Sequence, residues 1–535
     1  MAVPQKKPLT AASNDNIQDS KDILKDLRSN ELIFGVVGPV GSGTSWIATA
    51  LQEQLGSVIP GSEITILKAS TAIENWANKN GQHIDESNKL SRAKSLQDAG
   101  DEIRCLDPAG VAVTLMSEIK STRDKAEKEA SESGNEEAFR VYILDSLKHP
   151  AEVALLRSVY QDAFCLIGVV CESQKGRSRL RDEKCRASAT VDIDNFIARD
   201  QDSGITHGQK VTDTFHLADF FVDNSQDRFI GEDKKQENPA WDVNDQLGRL
   251  IDILTYRKVV RPSPSETGMF HAYGAQMTSA CLSRQVGAAL MDKSGNLVST
   301  GKNEVPSAGG GVYGGNFSLD AGNHQDHRCA FTNEYCSSNR HQDQIIRELI
   351  SSVPELNNVV FTDLKKTLKN TGIGRLLEFS RAVHAEMDAL LSAARKGASP
   401  VGGKLFVTTF PCHYCARHIV SAGVDEVQYI EPYPKSLAFD LHGDAIAKSK
   451  NDWLPPSEII AKSPGTDRAI KVLFRPFTGV APRLYKQAFI KNRPLKDSEG
   501  NMKLGSPEWA SGLLRMSYKD VENRLISNSV GISNE

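Results

Sequence analysis

His384 and Glu386 stand two positions apart, and Cys412 and Cys415 follow three apart behind Pro411 in "FPCHYC". One imidazole and two thiolates give a zinc ion three of its four tetrahedral ligands and leave the fourth position for water, as catalytic zinc sites do. Zinc lowers the pKa of such a water to about 7. Glu386 is then the carboxylate left over, able to take the water's proton, pass it to a ring nitrogen and later protonate a departing amine. The competing readings are a closed zinc site with a fourth protein ligand, or a metal-free Cys-x-x-Cys.

The elements around these residues must bring them to one point. Val383, Met387, Leu390, Leu391 and Ala394 recur at helical spacing, so an amphipathic helix lies over this stretch. In mid-helix His384 and Glu386 would diverge by about 200°; they converge only at the first turn. "KLFVTTF" is strand-like and leads through Pro411 into a second helix, whose first turn places Cys412 and Cys415 on one face. Two helix N-termini then aim their positive ends at one place, which favours thiolates and hydroxide.

The chain has 535 residues, 39% hydrophobic and 25% charged, enough for more than one domain. A net charge of -4 gives no overall footprint for a polyanion. The longest apolar run, "FCLIGVVC", is too short to span a bilayer. The start lacks a signal-peptide pattern, so a cytoplasmic protein without a membrane partner is expected. The nine cysteines form no compact framework, and in a reducing compartment those near histidines suggest metal before disulfide. Residues 1–30 read as a flexible N-terminus, 31–235 as one α/β domain, 236–265 as a linker, 266–435 as the domain of the His and Cys cluster, and 436–535 as a folded extension, for which an inter-subunit role is one reading. Lys293 to Asn296 sit between two strand-like runs and predict a hairpin.

In the first domain, "ELIFGVVGPVGSGTSWIATALQEQL" reads as strand, glycine-rich loop and helix. Gly38, Gly41, Ser42, Gly43, Thr44 and Ser45 fit a phosphate-binding loop whose backbone N–H groups cradle a nucleotide. Thr44 stands where that pattern has lysine, which puts phosphoryl transfer in doubt. Asp145, ending "VYILD", suits the strand-end acid that orients Mg2+, and Arg177, Arg179 and Arg181 look like the arginine segment of a nucleotide kinase. A tight turn, a capping aspartate and a solvated basic face are the plainer alternatives. The fold expected is a parallel sheet of P-loop type followed by a mixed α/β domain.

H-x-E with P-C-x-x-C is the pattern of zinc-dependent base deaminases. Residues 265–435, through "CLSRQVGAALMDKSGNLVSTGKNEVPS", "AVHAEMDALLSAARKG" and "LFVTTFPCHYCARHIVSAGVDEVQY", resemble the deoxycytidylate deaminase branch of the cytidine deaminase superfamily. That resemblance implies an αβα sandwich with a mixed five-stranded sheet, zinc, and conversion of a deoxycytidine nucleotide to its deoxyuridine counterpart. It also implies substrate contacts at Asn303, Ser283, Arg284 and Arg395. Some members carry a second, structural zinc, for which Cys281, His324, His327, Cys329 and Cys336 are candidates; solvated loop histidines are the alternative. Fused to a nucleotide-kinase-like domain, the chain is similar to the bacterial anti-phage deoxycytidine triphosphate deaminases. The similarity implies dCTP and dCMP as substrates, a homo-oligomer, and depletion of cytosine nucleotides during infection, with any inhibitor, RNA or protein, unspecified. Two other classes stay open: a deaminase of tRNA or single-stranded DNA, and a nucleotide sensor with structural zinc.

Overall fold

The computed structural model describes residues 30–134, 138–184, 190–205, 207–231, 235–314, 335–356, 358–368, 371, 380–463, 469–491, 495–502, 519, 522, 523 and 526. The expected flexible N-terminus, residues 1–30, lies outside them except for Asn30, as do His324, His327 and Cys329.

Five strands, β1 (Glu31–Val37), β2 (Glu63–Lys68), β3 (Arg140–Asp145), β4 (Phe164–Val170) and β5 (Phe220–Asp223), pair in parallel in the order β5-β4-β1-β3-β2. Strands β1, β3 and β4 are buried along their whole length. Continuous apolar runs such as "FCLIGVV" suit a parallel sheet covered by helices on both faces. Between β1 and α1 (Thr44–Val58) lies the glycine loop, with Gly41 and Gly43 both at φ 85°. A Cβ on Gly43 would sit 2.5 Å from Asn224 Nδ2, so only glycine fits there. Helices α2 (Lys89–Leu106), α3 (Ser173–Lys184) and α4 (Thr190–Gln201) contribute residues beside this loop. A two-stranded ribbon, β6 (Phe229–Ile230) with β7 (Gln236–Glu237), follows the sheet.

Within the stretch 236–265, read from the sequence as a linker, one helix packs into the first core. This helix, α5 (Val243–Leu254), buries Val243, Leu247, Leu250 and Ile251 there. Apolar residues at helical spacing need a partner, and α1 supplies one.

The second sheet is mixed, in the order β12-β13-β11-β10-β8-β9. Its members are β8 (Gly287–Met291), β9 (Leu297–Lys302), β10 (Lys404–Thr409), β11 (Glu426–Glu431), β12 (Ile446–Ala447) and β13 (Val472–Pro476). Six strands stand where five were expected, because the two-residue β12 adds an edge beside β13. The hairpin β8-β9 forms, and the Asp292 carboxylate accepts from Ser294 N–H and Asn296 N–H across its turn. Helix α6 (Pro264–Met277) packs on this sheet, and helices α7 (Ser337–Ser352), α8 (Ala385–Arg395) and α9 (His413–Ala422) follow in sequence.

The extension beyond residue 435 is built into both sheets. Val472–Pro476 is a strand of the second, and β14 (Gly479–Val480) pairs antiparallel with β5 of the first. Val480 N–H donates to the buried Glu266 of α6 at 2.7 Å, and Glu266 also pairs with Arg249 of α5 at 2.6 Å. Farther on, Glu522 is buried against Arg123 at 2.5 Å and accepts from Tyr160 OH, while Arg123 also holds Glu31 at 2.8 Å. No described helix is long and apolar enough to cross a membrane.

Candidate active site

Helix α8 begins where β9 lets it approach closely. A Cβ on Gly301 would lie 2.2 Å from Ala385 O, so this glycine admits the helix start against the strand. Ser299 Oγ donates to Ala389 O at 2.8 Å, Lys302 N–H to Asp388 Oδ2 at 3.1 Å, and Ala385 N–H to Asn303 Oδ1 at 2.8 Å. His384 is the N-cap residue in extended conformation, φ -74°, ψ 153°, and Glu386 lies in the first turn. The change from strand-like to helical backbone between them brings both side chains to one side.

From the second helix, Cys412 is the N-cap of α9 rather than a residue within its first turn, and its sulfur accepts from Cys415 N–H at 3.5 Å. Pro411 therefore precedes the cap, and the helix starts at His413. His384 Nδ1 is 3.3 Å from Cys412 Sγ and 3.4 Å from Cys415 Sγ. The three ligand atoms lie within 4.8 Å of one another and can hold a metal ion; among the described residues no other group of three or more does so.

Charge is already polarised around this point. The Cys415 thiol, bonding to Cys412, and the neighbouring His384 hold Cys412 down at about 4 against the effect of burial. That same bond and burial push Cys415 well above the ordinary thiol range. Burial first, and the Cys412 charge second, raise the Glu386 carboxyl to about 7. Burial disfavours the His384 cation, yet the bond to Cys412 and the Glu386 charge lift it to about 9. One nitrogen and two sulfurs are the donor set that zinc takes, and a bound metal would draw them into the neutral-imidazole and thiolate forms.

His384, Glu386 and Cys412 open onto a pocket of about 190 Å3. Asn303, Ser283 and Arg284 also line it. The Asn303 side chain joins the walls, since its Nδ2 donates to Arg284 O at 3.2 Å while its Oδ1 holds the start of α8. Arg284 pairs with Glu431 and lies 5.8 Å over the Tyr433 ring. Arg395 is not among the residues lining the pocket; it sits at the far end of α8, ten positions after Ala385 and 4.0 Å from Asp388. Of the second-metal candidates within the described residues, Cys281 and Cys336 both line the pocket, and Cys336 Sγ is 3.0 Å from Ser283 Oγ. Sequence reasoning missed Tyr433, Arg381 and Thr409 in the walls. The one available signal was "EPYP" directly after a strand, a place where side chains turn into a cleft.

A Cytidine and deoxycytidylate deaminase zinc-binding region matches residues 263–431. The deoxycytidylate deaminase of phage T4 is 31% identical over 167 residues, 31% of this chain and 76% of that protein. This chain belongs to the cytidine and deoxycytidylate deaminase family. The phage T2 enzyme of the same name matches at 31% over 78% of its length. Among solved structures, the dCMP deaminase of cyanophage S-TIM5 is 18% identical, with 41% of this chain and 100% of that one covered and a TM-score of 0.21. The family's zinc-binding region contains the whole His384, Cys412 and Cys415 cluster.

A second pocket, of about 290 Å3, lies against the glycine loop. Gly41, Gly43, Thr44, Ser45 and Asp145 line it; Gly38 and Ser42 do not. Ser45 Oγ donates to Asp145 Oδ2 at 2.6 Å. Of the three arginines in α3, Arg179 reaches this pocket, whereas Arg177 pairs with Asp194 at 2.8 Å and Arg181 is exposed.

Proposed function

We propose that the chain hydrolyses deoxycytidine nucleotides, dCTP and dCMP, to dUTP and dUMP with release of ammonia. The observation that carries this is Glu386: buried, in the wall of the same pocket as the His384, Cys412 and Cys415 cluster, and not one of its ligands. His384, Cys412 and Cys415 would hold zinc, which would lower the pKa of a water to about 7 and so make a nucleophile available at neutral pH. Glu386 accepts the proton that this water gives up and delivers it to the ring nitrogen next to the reacting carbon. The water's oxygen bonds to the ring carbon, its remaining proton passes through Glu386 to the amine, and the carbon–nitrogen bond breaks to leave a carbonyl and ammonia. A carboxyl raised by its buried surroundings suits both directions of transfer.

Asn303 fixes a wall that would meet the nucleoside, and Arg284 and Arg381 are lining cations for a phosphate, Arg284 by exchanging its Glu431 partner. The phage T4 and T2 relatives, which bear the name of deoxycytidylate deaminases, support a free nucleotide over an oligomer. In the first unit, a nucleotide-kinase-like reading rests on the loop from Gly38 to Ser45, with Ser45 and Asp145 as the oxygens that would hold Mg2+ beside a bound phosphate. Such a fusion suits a homo-oligomeric cytoplasmic enzyme that removes dCTP from a phage-infected cell. Ammonia release from dCTP, dCMP, deoxycytidine and CTP by the purified, zinc-loaded chain tests the reading. Turnover of the two phosphorylated deoxy substrates above the nucleoside is expected, and no ammonia from any of the four would overturn it.

A further inference from the structure

Thr44 leaves the glycine loop without its own cation, and a lysine from elsewhere in the chain stands beside it. Lys148, three residues past β3, lines the loop pocket together with Thr44. Its Nζ donates to Gly38 O at 3.1 Å and pairs with Asp200 Oδ1 at 3.0 Å. The other oxygen of Asp200, a buried residue of α4, accepts from Val40 N–H at 2.7 Å. Asp200 thus ties the lysine to the loop backbone. It acts as a positioning residue, and its carboxylate is the anion that meets the cation when no phosphate is bound.

The other cations in this pocket are already committed. Arg104 is fully buried between Glu152, at 2.8 Å, and Asp101, at 3.4 Å. Arg179 gives its terminal nitrogens to the carbonyls of Asn224 and Gln226, both at 2.8 Å. Lys148 alone of the three sits on a flexible stem with one carboxylate partner and its side chain 17% exposed, so its ammonium can turn toward a ligand.

Two lining groups point to what that ligand offers. Arg179 is 7% exposed and Gln97 5%, yet the Nε of the first and the Oε1 of the second have no hydrogen-bond partner. A spare buried donor near the loop suits a phosphate oxygen. A spare amide acceptor, on a side chain joined to Gln209 at 3.0 Å, suits an N–H of a nucleobase. Apolar side chains, Ile73, Leu96 and Phe196 among them, line the same cavity.

We propose that this pocket binds a nucleoside phosphate, with Lys148 supplying the charge that Thr44 withholds and Gln97 meeting the base. The inference rests on the reading of Gly38 to Ser45 as a phosphate cradle. Trp46 and Ile47 N–H close onto Gly43 O, which leaves the Thr44 and Ser45 N–H groups at the start of α1 to meet such an anion; Lys148 then exchanges its contact with Asp200 for the phosphate.

Equilibrium dialysis of the full, zinc-loaded chain against ATP, dCTP and dTTP, each with Mg2+, tests the assignment. Binding that Gly43→Val removes is assigned to the loop. That component should weaken roughly tenfold or more in Lys148→Met, the effect of losing a charged hydrogen bond. Adding Thr44→Lys to Lys148→Met should restore most of it. Because Lys148→Met leaves Asp200 unpaired, Lys148→Met with Asp200→Asn provides a charge-balanced form that should show the same loss, with retained zinc reporting an intact second domain. Loop binding unchanged in Lys148→Met, or unrestored by Thr44→Lys, would overturn the role of Lys148 while leaving the cradle in place. A wild-type chain that binds none of the three nucleotides at the loop would remove the cradle and this inference together.

Discussion

The two pockets are built in opposite ways. In the deaminase-domain pocket, the candidate metal ligands and the carboxylate proposed to transfer protons all fall within residues 384–415, at the starts of two helices. In the loop pocket, the backbone comes from residues 38–45, while the polar side chains come from Gln97, Asp145, Lys148, Arg179 and Asp200. The difference follows from the ligand proposed for each. A metal ion demands donor atoms fixed to within a few tenths of an ångström, which short rigid connections provide. A phosphate cradle is made chiefly of N–H groups, and the charge that completes it can arrive from any element that reaches the rim. Loss of one motif residue therefore means different things in the two places.

The comparison breaks most sharply at Cys412. Cys412→Ala should lose bound zinc and reduce deamination to background, with nucleotide binding at the loop retained; metal analysis alongside ammonia release checks it, and an active, zinc-free variant would contradict the assignment. Next is Glu386→Gln, expected to keep zinc and to lower the rate by about 10²–10⁴. The split between metal content and turnover separates a proton carrier from a ligand. Glu522→Ala probes the other unit: leaving Arg123 short of a buried partner should cost about 3 kcal/mol, read as a lower denaturation midpoint, with the zinc content of the folded protein unchanged. The smallest effect belongs to Thr44→Lys alone. With Lys148 already beside the loop, nucleotide affinity should change by less than about threefold, and a large gain would mean that the cradle truly lacks a cation.

Much of the deaminase site was readable from the sequence because its chemistry is local. Helical spacing from Val383 to Ala394 placed the first helix, and the demand that His384 and Glu386 converge placed both residues at its start. The strand, loop and helix over residues 31–58 were equally legible, since each has its own periodicity or turn chemistry. What escaped depends on partners distant in sequence. Helix α5 has a clear apolar stripe, but nothing local says that α1 will cover it. Tyr433 and Lys148 reach their pockets through the arrangement of strands. Arg395 lies in a family-like segment, but it ends α8 and is not among the residues lining the pocket.

The short segment from Val472 to Val480 stitches the molecule together. Three residues after adding its strand to β11, the chain lies along the outer edge of β5 in the other sheet, and the Glu266 carboxylate between them accepts from Val480 and grips Arg249. A seam of this kind resists hinge bending, so any signal between the pockets must travel as a small sliding of packed layers. It also makes excision hazardous. A deaminase cut free at residue 435 would leave β11 without its parallel neighbour β13, and the remaining half without β14 would show the bare edge of β5 to solvent. Unpaired strand edges recruit other chains, so the two halves are expected to aggregate when made separately and to stay soluble when the seam is kept.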